Sequence, residues 1–254
     1  MITLQTQSLT VQIADTLVCK NLNLSVKQGE NWAVMGMNGS GKTTLLHTLA
    51  GLLTPRSGEI ILNDEQLSSL SRNTIAQKLG LLLQHHEDHF PGEVLETVLI
   101  GRHPHLKSWQ WESEHDKQIA LDALAQVGLA QFSSRSILTL SGGERQRVAL
   151  ATLLAQQTPV RLLDEPVNHL DIHHQHEILT TLTQQQGTYS QLFVLHDINL
   201  AAHYCDHALL LFGEGETLSG TTEEVLTTEN LSRLYQHPIH EFSEKGKRWF
   251  ITGS

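Results

Sequence analysis

Several short stretches of this 254-residue chain carry residue types that could act on a phosphorylated substrate. The first is GMNGSGKT (residues 36–43), which matches the pattern GxxxxGK[ST]. Glycines let a backbone fold so that its N–H groups point at phosphate oxygens, and a helix that follows adds the positive end of its dipole. The pattern therefore predicts phosphate binding by Gly36, Asn38, Gly39, Ser40, Gly41, Lys42, Thr43 and Thr44. Lys42 would reach the β- and γ-phosphates of a nucleotide, and the Thr43 hydroxyl would ligate Mg2+.

The second stretch is VRLLDEP (160–166), an apolar run ending in two acids. A carboxylate at the C-terminal tip of a buried parallel strand faces the ligand crevice. Asp164 is expected to hold Mg2+ through water, and Glu165 to polarise an attacking water as general base. Arg161, inside the same run, is expected at a rim or an edge. Two further polar residues end apolar runs: Gln84 in LGLLLQ, placed to touch Mg2+ or the attacking water, and His196 in FVLHD, placed to bond the γ-phosphate and Glu165. Taken singly, these are an ordinary loop glutamine and a structural histidine.

The third stretch is TLSGGERQRVAL (139–150). Ser141 and Glu144 form S-x-x-E, a helix capping box, which accounts for both. It does not account for Gly142 and Gly143, which cost stability in a first helical turn but allow a phosphate to approach the helix N-terminus closely. The chain thus carries what reads as a second cradle.

The elements that must position these residues follow from periodicity. Residues 2–13 and 22–27 alternate like half-buried antiparallel strands. NWAVMG (31–36) and KLGLLLQ (78–84) read as buried strands, KTTLLHTLAGLL (42–53) as a helix, and SGEIILNDEQL (57–67) as a strand and turn. From about residue 88 to 157 the pattern is helical. Strand and helix then alternate again through 160–166, 173–186, 190–197 and 198–205, ending in a hairpin that turns at 213–215. Strands separated by helices imply a parallel sheet with right-handed crossovers. The expected fold is α/β: a parallel core of residues 1–87 and 158–220 with an antiparallel N-terminal part, a helical insertion at 88–157, and a tail over 221–254 with a helix at 222–235.

There are 27 acidic against 17 basic residues, a formal charge of -10, which argues against nucleic acid and against an anchor on anionic lipid. No stretch has the ~18 apolar residues of a membrane span, and the start of the chain has neither the basic nor the apolar region of a signal peptide. Cys19 and Cys205 make no zinc or redox pattern, so a reducing cytosol is the simplest setting. The cluster DIHHQH (171–176) places His173 and His176 three apart on a helix; without a further ligand it reads as a solvated face.

Taken in order, GMNGSGKT, Gln84, LSGGERQR, LLDEP, NHLD and His196 resemble the nucleotide-binding subunits of ABC transporters, over nearly the whole chain. The resemblance implies a P-loop NTPase fold of RecA-like type, ATP and Mg2+ as ligands, and a head-to-tail homodimer. Each ATP would lie between one subunit's P-loop and the other's Ser141, Gly142, Gly143 and Glu144, with Asp171 crossing the same interface. The insertion and the groove near Gln84 would receive helices of transmembrane permease subunits at the cytoplasmic face of the membrane, and a substrate-binding protein would act indirectly. HFPGEVLETVLIGRHPH (89–105), LHDINLAAHYCDHALLL (195–211) and TTEEVLTTENLSRLYQHPI (221–239) are similar to ATPases of iron-siderophore, haem and cobalamin importers. The alternative is a soluble ABC ATPase acting as a scaffold or switch, as in iron–sulfur assembly. Two departures stand out. Many members of the family stack an aromatic residue on adenine where Ile13 stands here, so base contact would be apolar, from Ile13 and Val18, with modest nucleotide discrimination. Val167 stands where Thr or Ser is common, with a changed D-loop path as the consequence to look for.

Overall fold

The structure, a computed structural model, describes residues 2–84, 92–107, 109–184 and 188–253. Its central layer is a six-stranded sheet in the order β11-β10-β4-β9-β8-β7, parallel except for the antiparallel edge strand β11. Its strands are β4 (Asn31–Gly36), β7 (Leu79–Leu82), β8 (Val160–Asp164), β9 (Ser190–Val194), β10 (His207–Gly213) and β11 (Glu216–Thr221). β4, β8 and β9 are buried at every residue, as continuous apolar strands covered on both faces must be.

A second sheet is antiparallel: β2 (Thr16–Leu22), β1 (Ile2–Ile13), β5 (Ser57–Leu62) and β6 (Glu65–Gln66), with β3 (Ser25–Lys27) also on β1. The strand expected over 22–27 is instead two strands, because Asn21 takes positive φ (53°) and Asn23 turns back to bond the Ser8 N–H. One face of the parallel sheet packs on this second sheet and on α1 (Lys42–Leu49), through Leu45, Leu46, Val34 and Leu162.

The other face packs on helices. α3 (Val94–Leu99), α4 (Glu114–Gln126) and α5 (Gly142–Ala155) form the helical middle, with Val98, Leu124 and Val148 in one core, whereas α2 (Arg72–Lys78), just before β7, buries Ile75 in the core of the first face. The helix expected through Arg102 stops at Leu99 and tightens into a 3-10 segment, Ile100–His105, containing Pro104. Arg102 there forms a buried pair with Asp116 (3.0 Å) and bonds the Ala155 carbonyl (2.8 Å). The first residues of HFPGEVLETVLIGRHPH, and the end of the helix expected over 173–186, lie outside the described residues.

α6 (Ile172–Thr183) and α7 (Ile198–Tyr204) follow β8 and β9. The tail is not one helix but α8 (Thr222–Val225), α9 (Thr228–Tyr235) and a hairpin, β12 (Ile239–Glu244) with β13 (Lys247–Thr252), that periodicity did not show. Thr227 caps α9 and splits the run. Arg161 corrects another expectation. It is 2% exposed in the sheet interior, its guanidinium 3.5 Å from the Tyr189 ring centre, and burial pushes its pKa down to about 10.

Candidate active site

A cleft of about 630 Å3 opens at the C-terminal ends of the parallel strands. The turn from β4 to α1 forms one wall. Gly41 has φ 93°, and a Cβ there would stand 2.4 Å from a methyl of buried Val18, so only glycine fits. A Cβ on Gly36 would stand 2.5 Å from the Ser40 hydroxyl and 2.9 Å from the Leu211 carbonyl. Asn38, Gly39, Gly41, Lys42, Thr43 and Thr44 line the cleft. Lys42 folds its ammonium onto the carbonyls of Gly36 (2.9 Å) and Met37 (3.0 Å), and burial pulls its pKa down.

The second wall comes from the strand tips. Asp164 is fully buried, and among the described residues neither of its oxygens has a hydrogen-bond partner at full geometry. Burial raises its pKa, countered by the Thr43 hydroxyl beside it and, more weakly, by His47 and Lys42. Two buried, unpartnered carboxylate oxygens next to a threonine hydroxyl are a donor set for a hard divalent cation. Glu165 takes positive φ (51°) and turns into the cleft, where its Oε1 lies 2.7 Å from His196 Nε2 and its Oε2 accepts from Asn168 Nδ2. Gln84 and His196 line the same cleft.

Ile13 also lines the cleft, with Thr16, whereas Val18 lies beneath Gly41 and does not. Asn168 is a member that strand periodicity missed: it sits within NHLD, and the turn after β8, closed by the Asn168 N–H on the Glu165 carbonyl at 3.1 Å, brings its amide to the Glu165 carboxylate. Val167 is buried against the helical core.

The residues of the signature stretch LSGGERQR, Ser141 to Glu144, and Asp171 are not in this cleft. Ser141 caps α5 as the capping box requires: Glu144 accepts from the Ser141 N–H at 2.7 Å, and Ser141 Oγ accepts from the Glu144 N–H at 3.3 Å. A Cβ on Gly143 would meet Leu170 at 3.2 Å, but one on Gly142 meets nothing within 4 Å among the described residues. Asp171 caps α6, accepting from the His174 N–H (2.9 Å) and from the His174 ring (2.8 Å). In the histidine cluster, His176 bonds Tyr204, and the described residues hold no group of three metal-ligating side chains.

A parallel sheet with a glycine-rich turn after β4, and an acidic pair at the end of β8 with β9 between the two strands, defines a P-loop nucleoside triphosphatase. The family profile described as ABC transporter matches residues 19–168, and the chain belongs to that family as an ATP-binding subunit with ATPase activity. It is 41% identical to the hemin import ATP-binding protein HmuV of Pseudomonas aeruginosa over 239 residues, covering 91% of this chain and 92% of the relative. It is 37% identical to the ferric enterobactin transport ATP-binding protein FepC of Escherichia coli, covering 91% and 86%. Among solved structures, it superposes on a chain of an inward-facing ABC transporter assigned to the metal-chelate type, with TM-score 0.87, 29% identity, and coverage of 100% and 98%. A second match is the dimeric ATP-binding cassette MJ0796 in a post-hydrolysis state with ADP and phosphate, with TM-score 0.73, 27% identity, and coverage of 86% and 98%.

Proposed function

We propose that this chain is the ATP-hydrolysing subunit of a membrane importer of metal chelates: iron-siderophore, haem or cobalamin. Its relatives, named for the import of such compounds, support this over the soluble scaffold. The observation that carries the hydrolytic reading is the triad of Glu165 with His196 and Asn168 at the mouth of a phosphate cradle. Thr43, Asp164 and Gln84 would hold Mg2+, which supplies charge neutralisation at the β- and γ-phosphates. Lys42 exchanges its two carbonyl contacts for phosphate oxygens. Glu165 takes the proton of the attacking water, and His196 keeps the carboxylate aimed while its exposed side reaches the γ-phosphate.

Hydrolysis is completed by a second copy. Gly142 has open space around it and lies at the N-terminus of α5, so no contact among the described residues requires a glycine there. A phosphate brought by the opposite subunit does, because Ser141 and the N–H groups of Gly142 and Gly143 can then approach it closely. Glu144 holds Ser141 in place and Asp171 faces the same partner. ATP favours the closed dimer and product release the open one, a ligand-driven shift of populations. A groove lined by Leu81, Thr97, Ile100 and Val148, between β7 and the helical middle, is where permease helices would dock at the cytoplasmic face; Ile100 there is 54% exposed. A substrate-binding protein then acts only through the permease.

The test is co-expression with the hydrophobic permease chain of the same operon, in vesicles carrying a metal chelate and its binding protein. Chelate-stimulated ATP hydrolysis supports the reading; hydrolysis indifferent to both membrane chain and chelate refutes it.

A further inference from the structure

The chain beyond β11 serves no phosphate-binding motif, yet it is fastened to the helix that starts at the catalytic wall. His196 is followed by Asp197, which caps α7 by accepting from the N–H groups of Asn199 (2.7 Å) and Leu200 (3.2 Å). Asn199 then makes a two-way bond to one residue of β13. Its Nδ2 donates to the Phe250 carbonyl at 3.1 Å, and its Oδ1 accepts from the Phe250 N–H at 2.7 Å. The side-chain amide thus stands where a neighbouring strand's peptide group would. One turn on, His203 Nε2 bonds the Arg248 carbonyl at 2.9 Å, and its ring meets Trp249 edge-on at 4.3 Å.

The hairpin is itself anchored. Phe250 is buried, Arg248 pairs with Glu241 at 2.7 Å and donates to the carbonyls of Thr222 and Leu226, and Ser232 accepts from the Ile239 N–H at 2.9 Å. Tyr235, at the end of α9, lies near the same turn: burial and, second, the Asp197 carboxylate push its hydroxyl up to about 12. α7 has seven residues, too few to hold an orientation by its own hydrogen bonds. Its direction comes from what it packs on.

We propose that Asn199 is a positioning residue for ATP hydrolysis: through Phe250, the C-terminal hairpin braces α7 and so sets His196 against Glu165. This rests on the reading of His196 as part of the hydrolytic site. The plain alternative is that Asn199 only staples the tail to the body of the protein, which would show in stability and not in the chemical step.

Single-turnover hydrolysis of Mg-ATP by the full-length chain separates the two. Asn199→Ala should lower the single-turnover rate constant about tenfold or more, because small displacements of an aligned group are costly, with ATP affinity unchanged, while the two lost hydrogen bonds to Phe250 lower the thermal midpoint. Asn199→Asp keeps an oxygen to accept from the Phe250 N–H and should lose less; it also serves if the alanine variant does not fold. In a His196→Ala background, Asn199→Ala should cost no more than about twofold, since the brace acts through His196. An unchanged single-turnover rate constant, an equal loss in both backgrounds, or a lower thermal midpoint with the rate constant kept would each overturn the brace. If His196→Ala hydrolyses ATP at the parental rate, the reading of His196 fails as well; if only that variant is impaired, the brace alone is wrong.

Discussion

His196 Nε2 stands 2.7 Å from Glu165 Oε1, across 31 residues of chain, while Asn168 donates to the other oxygen of the same carboxylate. Both carboxylate oxygens are therefore held, and Glu165 sits in a left-handed backbone conformation that aims it into the cleft. Glu165→Gln keeps the shape and removes the base. Mg-ATP affinity should remain near that of the parent, the closed dimer should accumulate, and hydrolysis should fall by roughly 10²- to 10⁴-fold. Single-turnover rates and light scattering with saturating Mg-ATP check this. A variant that stays monomeric and hydrolyses normally rules out the general-base role.

The signature turn gives a different pattern. Gly142→Ala fills open space at a helix start, so it should raise thermal stability slightly, by up to about 1 kcal/mol, while lowering hydrolysis. Ser141→Arg should abolish hydrolysis without weakening nucleotide binding to the isolated monomer. Equilibrium binding at subunit concentrations too low for dimers is the measurement. Weakened binding there would place the signature in its own subunit's site.

Ile13 lines the cleft with its side chain half exposed, and Thr16 is its neighbour across the β1–β2 turn. With no aromatic ring there, ATP should be preferred over GTP and CTP only weakly. Ile13→Tyr should tighten ATP by about 0.5–1.5 kcal/mol relative to the parent, the worth of a stacked aromatic pair. Competition binding with the three nucleotides decides it, and a parent that already discriminates strongly would contradict the apolar-contact reading.

The buried pair of Arg102 and Asp116 sets an acid limit for the helical middle. Hydrogen bonds from Ser113, and then Arg102, hold Asp116 down at about 2 against an ordinary 3.8. Its stabilising contribution is present above the ordinary value and is lost as pH falls through the folded one, so the window runs from about pH 4 to pH 2. Asp116→Asn should flatten stability in that window and, at neutral pH, cost about 3 kcal/mol, because it leaves Arg102 buried without its counter-charge. Urea unfolding at a series of pH values reads both effects. An unchanged slope below pH 4 would assign the acid sensitivity to other carboxylates.

The nucleotide wall was legible because its parts are local. GMNGSGKT needs only consecutive glycines, a lysine and a threonine at the join of a strand and a helix, and S-x-x-E is a cap within one turn. The strand tips at Gln84, Asp164 and His196 were legible singly, from apolar runs ending in a polar group. Arg161 was misplaced because a charged residue in an apolar strand reads as an edge, and only the packed structure supplies the Tyr189 ring that shelters it. The β12–β13 hairpin was missed because its outward residues Glu241, Glu244 and Lys247 are charged, which hides the alternation around Phe250.

By itself the amino-acid sequence determined the phosphate cradle, the acidic pair and the signature cap, since dihedral preference, capping and buried-strand composition act over a few neighbouring residues. Which strand tips meet was decided only in three dimensions, where β9 lies between β4 and β8 and brings His196 beside Glu165. The same holds for Phe250 on Asn199, whereas Asn168 meets that carboxylate within the turn that follows β8. The long-range contacts join residues whose spacing along the chain carries no period, and their distances follow from sheet order and from how the tail packs on α7.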